Sequence, residues 1–111
     1  MKLPMVLAVI LMLGSVVSRA GGATNVTITR IEAEPQGHFF FYLSSAIQGS
    51  PSCASQPATG FVVDGTTAGG KVVITLVVTA YTMGKTLSMG GNNLCDVHAG
   101  FETISDIFTT N

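Results

Sequence analysis

The sequence predicts a small, mainly β domain fastened by one disulfide, with one segment that reads as either strand or helix. Three observations carry this. Val, Ile, Thr and Phe gather in short runs separated by Gly, Pro, Ser and Asn, the pattern of short strands joined by turns. The 111 residues allow one domain and no more. The chain has two cysteines without metal-type spacing. Hydrophobic residues make up 47% and charged residues 10%, the latter far below the roughly one quarter of an average soluble domain. A formal charge of -1 leaves no basic field to hold nucleic acid or an anionic membrane surface.

Much of the apolar excess lies in the first 20 residues. Lys2 precedes residues 5–13 (MVLAVILML), an unbroken run of nine apolar residues, and Ser18-Arg19-Ala20 places small residues three and one before a cut. This is the three-part layout of a secretory signal peptide. Nine helical residues rise about 14 Å, against a hydrocarbon core of about 30 Å, so an uncleaved anchor is the weaker reading. Residues 1–20 are expected to be removed and residues 21–111 to form the domain, secreted or periplasmic and off the membrane after cleavage. Ala23 offers a second cut. The mature chain sets Arg30, Lys71 and Lys85 against Glu32, Glu34, Asp64, Asp96, Glu102 and Asp106, a formal charge of -3.

Along the mature chain, residues 25–32 (NVTITRIE) alternate as a first strand, bulged near Arg30. Residues 34–37 (EPQG) make a turn, since Pro fixes φ and Gly permits positive φ. Residues 38–44 (HFFFYLS) complete a hairpin, and a Gly/Ser/Pro-rich loop carrying Cys53 fills residues 48–60. Residues 61–64 (FVVD) are a third strand and 65–70 a flexible connector. Residues 71–83 (KVVITLVVTAYTM) are the ambiguous segment. Val, Ile and Thr favour a strand. Apolar steps of three and four, with Thr67 to cap the start and Gly84 the end, favour a helix. Residues 85–89 and 101–109 supply the last two strands.

In an oxidising compartment Cys53 and Cys95 most simply form one bridge. It closes a loop of 42 sequence steps, worth at most about 4 kcal/mol in the chain-entropy account. The rival is chemistry at Cys95-Asp96-Val97-His98, a thiol near an imidazole. A bridge removes the thiolate, and His38 is the only other histidine, so no metal, cofactor or catalytic set is expected and His98 reads as a loop histidine. Glu32 and Glu34 read as solvated carboxylates. The strand after the turn is more informative. Phe39, Phe41 and Leu43 share one face, Phe40 and Tyr42 the other. One set fills a core at about 1.5–3 kcal/mol per buried ring. The other needs a second internal layer, a partner or a stacked sugar, which makes Phe40 and Tyr42 candidate ligand or interface residues.

The order of features resembles small exported bacterial proteins related to the binding subunits of subtilase- and pertussis-type A-B toxins. The matching pieces are Cys53, residues 61–64 (FVVD), Ala80 with Gly84-Lys85, Gly90-Gly91 through Cys95-Asp96, and Glu102-Thr103-Ile104. The resemblance implies a five-stranded OB-type barrel with a helix between strands three and four, so that residues 71–83 are helical. That helix is then apolar on nearly all sides, and Val73, Val77 and Tyr81 are expected on a second face covered by another subunit, since helices line the centre of a ring of five in the toxin relatives. Sugar sites of those relatives use hydroxyl and amide side chains beside an aromatic. Here Ser44, Ser45, Gln48, Ser50, Ser52 and Ser55 lie near Tyr42 without matching a family site residue by residue. The function implied is a non-enzymatic, self-associating module that binds a glycan or protein. The alternative is a monomeric envelope protein with a structural or inhibitory role.

Overall fold

The computed structural model describes residues 20–56 and 58–110, so the expected leader, Ala20 apart, lies outside the described residues. The elements are β1 (Gly22–Val26), β2 (Ile28–Ala33), β3 (His38–Leu43), β4 (Gly60–Asp64), α1 (Ala68–Met83), β5 (Leu87–Gly91) and β6 (Glu102–Thr109). All strands among the described residues belong to one sheet in the order β1-β5-β6-β4-β3-β2. The β4–β6 pair is parallel and the other pairs are antiparallel.

The sheet thus has six strands and two ends, not the closed barrel of five expected from the sequence. The extra strand comes from residues 25–32, which break at Thr27. Asn25 takes a positive φ of 52°, a conformation that asparagine tolerates better than most residues, and the β1–β5 register shifts between Ala23 and Val26. Thr27 then bonds the end of β3: its N–H donates to Ser44 Oγ at 3.1 Å and its carbonyl accepts from Ser44 N–H at 3.0 Å. The two halves of the segment run to opposite ends of the sheet. The bulge expected near Arg30 is present, as a register shift between Ile28 and Arg30. The turn at residues 34–37 closes through Gly37 N–H to Glu34 O at 2.9 Å, with Gly37 at φ 101°.

Residues 71–83 are helical despite their β-branched composition. Thr67 caps α1 by accepting from Gly70 N–H at 2.9 Å, and Gly84 ends it in the left-handed conformation. Inside the helix, Thr75, Thr79 and Thr82 donate their hydroxyls to the carbonyls of Lys71, Thr75 and Val78. Those bonds satisfy the hydroxyls internally. The segment 65–67 is not loose: Gly65 N–H donates to Gly37 O at 2.7 Å, and Asp64 Oδ1 accepts from the Thr66 hydroxyl and amide. These bonds, the hydroxyl's first, hold the Asp64 carboxyl below the usual carboxylate range.

Gly70 is where α1 meets β4. A Cβ there would overlap the backbone carbonyl of Asp64, whereas one at Gly69 would meet nothing within 4 Å. Gly69→Ala is therefore expected to stabilise the protein by about 0.5–1 kcal/mol. Gly70→Ala, the same change one residue on, is expected to destabilise it by about 1–3 kcal/mol. Paired urea titrations check the opposite signs; equal effects would mean that α1 does not seat on β4 in this way.

The main core lies between α1 and one face of the sheet. Phe39, Phe41, Phe61, Val63, Leu87, Met89 and Ile104 face Val77 and Ala80, with the Phe41 and Phe61 rings 6.0 Å apart. Alternation sends Phe40, Tyr42 and Val62 to the opposite face, where Phe101 and Val97 cover them.

Candidate functional site

The side chains that sequence reasoning singled out do not gather at one place. Phe40 and Tyr42 are buried, 2% and 9% exposed. The loop between β5 and β6 covers them from within the chain, with Phe101 4.8 Å from Phe40 and 6.3 Å from Tyr42 between ring centroids. On α1 the row Val73, Val77, Tyr81 runs toward the sheet: Val77 is fully buried, Val73 is half-buried against the core, and only Tyr81 is exposed. The residues facing away are Val72, Val78 and Met83. Cys53 and Cys95 are bonded as expected, with Cα atoms 6.1 Å apart. The bridge ties the loop before β4 to the loop that lies over Phe40 and Tyr42.

Two polar clusters flank this outer aromatic layer. At one end Arg30 lies over the Tyr42 ring, 4.8 Å from its centroid, and both Arg30 and the Tyr42 hydroxyl donate to Glu32 Oε1. Burial, then the bond to Glu32, push the Tyr42 phenol up. At the other end Glu34, His38 and His98 converge, with one potential ligand atom from each within 4.8 Å of the others. Glu34 Oε1 lies 3.6 Å from His38 Nδ1 and 3.8 Å from His98 Nε2. Glu34 and His38 are placed by the turn between β2 and β3; His98 is held by edge contacts to Phe40 at 5.0 Å and Phe101 at 5.7 Å.

His98 Nδ1 lies 2.9 Å from the Ala99 carbonyl. A carbonyl only accepts, so Nδ1 carries the hydrogen and Nε2 faces the Glu34 carboxylate with its lone pair when the ring is neutral. Two imidazoles and a carboxylate form a ligand set that suits a borderline divalent cation, with the backbone carbonyl orienting one ring. Sequence reasoning missed this cluster because Glu34 and His38 lie about sixty positions from His98. The readable signal was a carboxylate that opens a four-residue turn and a histidine that follows it.

This chain matches no protein-family model and none of the curated proteins with which it was compared.

A third feature is a groove at β1, lined by Thr24, Ser45 and Gln48 together with Ala20, Ala23 and Met89. It offers hydroxyls and an amide. Tyr42 does not line it, because that ring is engaged by Phe101 and Arg30.

Proposed function

We propose that this chain is an exported, non-enzymatic binding module on an OB-type barrel that self-associates and takes a glycan. Support for the OB-type reading comes from the strand order. β1 and β2 adjoin in the chain yet sit at opposite ends of the sheet, as the halves of one bent first strand would in a partly open Greek-key barrel. The parallel β4–β6 pair and the helix between β4 and β5 fit the same layout. The disulfide suits an oxidising compartment. His38 and His98 are paired with the Glu34 carboxylate, the Gln36 amide and the Ala99 carbonyl rather than with a hydroxyl or thiol nucleophile, which favours binding over hydrolysis.

The observation that carries self-association is the outer face of α1. Val72, 70% exposed, and Met83, 62% exposed, share that face with Thr75 and Thr79, while Val78 and Thr82 flank it. The three threonine hydroxyls are bonded back to the helix carbonyls. Lys71 is the only charged residue of α1. A stripe so poor in charge suits a second copy of itself. Light scattering of the processed protein is expected to give a multiple of the protomer mass, and Val72→Glu with Val78→Glu to return it to one protomer without loss of fold. A strictly monomeric wild type across micromolar concentrations would support the envelope-protein alternative instead. For the ligand, the β1 groove is expected to register on a glycan array and to lose its signal in Gln48→Ala. A blank array with specific capture of an envelope protein would assign the groove to a protein.

A further inference from the structure

Glu102 is the most deeply buried ionisable group among the described residues, with no exposed surface. It opens β6 and points under β1. Its carboxylate accepts Gly21 N–H at both oxygens, at 3.2 and 3.0 Å, and Asn93 N–H at 2.8 Å. Among the described residues no cation lies within ion-pair distance of it. Burying a carboxylate on two amides alone is costly. The surroundings are nevertheless shaped around it: a Cβ on Gly21 would collide with the Glu102 carboxylate and with Ile47, and a Cβ on Gly91 would overlap the Glu102 side chain. Gly21 itself is fixed, its carbonyl accepting from Gly91 N–H at 2.8 Å.

The nitrogen that meets this carboxylate is the one that leader removal after Ala20 would free. We infer that cleavage between Ala20 and Gly21 completes the fold by placing the new α-ammonium of Gly21 on the buried Glu102 carboxylate. The inference rests on the exported, leader-cleaved reading. Hydrolysis by a leader peptidase breaks the Ala20–Gly21 amide, with water giving hydroxyl to the Ala20 carbonyl and hydrogen to the Gly21 nitrogen, which takes one further proton from solvent. One amide donor then becomes a cation with three. The alternative cut after Ala23 would remove Gly21 altogether, together with the Gly22↔Gly90 and Ala23↔Met89 pairs of β1. It would leave Glu102 on Asn93 alone.

The expected signature is a pH dependence. An α-amino group that gains a buried carboxylate has its folded pKa raised above the unfolded value of roughly 8. Its contribution is therefore complete below that value and is lost as pH rises through the folded pKa. The elements packed here carry few other titrating groups. β5 and residues 44–50 have none, β6 carries Asp106 opposite Gly90, and the loop after β5 carries Asp96, bonded to Thr103, and His98, which faces Glu34.

The full precursor would be exported and its product compared with that of a precursor carrying one serine inserted between Ala20 and Gly21. Intact mass is expected to show a first residue of Gly21 in the former. Its melting temperature is expected to exceed that of the serine-extended product by about 5–10 °C near neutrality, with the gap closing toward pH 10. Glu102→Gln should abolish the gap; if that variant does not fold, the first two proteins still decide. A product beginning at Thr24, or one that keeps residues 1–20, would overturn both the inference and the cleavage it rests on. A product beginning at Gly21 whose melting profile coincides with that of the extended form at every pH would overturn the ion pair and leave the export reading standing.

Discussion

Replacing both Cys53 and Cys95 by serine is expected to lower stability by up to about 4 kcal/mol and the melting temperature by more than about 10 °C. The bridge closes 42 sequence steps, a long loop whose freedom in the unfolded chain it removes. It also has a local role. The loop between β5 and β6 that carries Cys95 also carries Val97 and His98 and leads into Phe101, and this group covers Phe40 and Tyr42. Apart from the bridge, the two loops are joined by Gln56 N–H to Gly100 O at 2.9 Å. The double variant is therefore expected to bind an apolar dye under conditions where the wild type does not, and the single Cys53→Ser variant to expose Cys95 to thiol reagents. Calorimetry and thiol counting check both. Two free thiols in the natively purified protein, or a double variant that melts with the wild type, would refute the staple.

Much of this fold is legible in the sequence because each legible signal is local. Thr67 and Gly84 mark both ends of α1, Gly37 marks the hairpin turn, and alternation in residues 38–43 separates the two aromatic faces. What escapes is set by distance. Nothing within residues 25–32 says that Thr27 will leave its ladder for Ser44, seventeen positions away. Nothing near Glu102 says that its partner is Gly21, eighty-one positions earlier. The ambiguous segment 71–83 is helical through its caps at Thr67 and Gly84 and the seating of Val77 and Ala80 in the core, against the strand propensity of its side chains. Several residues that carry the toxin-subunit resemblance have structural duties here: Asp64 caps the approach to α1, Gly84 ends it, Asp96 accepts the Thr103 hydroxyl, and Gly91 makes room for Glu102. The Thr103 hydroxyl holds the Asp96 carboxyl below its usual range. Such residues specify a scaffold and are silent about function.

Phe61→Ala is expected to cost about 3–5 kcal/mol, while Phe108→Ala, at a ring 53% exposed, is expected to stay within about 0.5 kcal/mol. Phe61 has no exposed surface and sits where the parts of the sheet join: it pairs with Phe41 on β3 and, in the parallel register, with Glu102 on β6. Its ring lies 6.0 Å from that of Phe41 in the layer that α1 covers. Truncation removes the transfer energy of a phenyl group and leaves a cavity between α1 and β4, a strand hydrogen-bonded along both edges, so collapse is restricted. The same change would loosen β4 against β6, next to Glu102. Its effect should therefore not add simply to that of Glu102→Gln, because the two residues are register partners. Urea titrations of the two single variants and the double give the coupling directly. A Phe61→Ala cost below about 1 kcal/mol, or strict additivity with Glu102→Gln, would show that β4 and β6 are not joined in the register described.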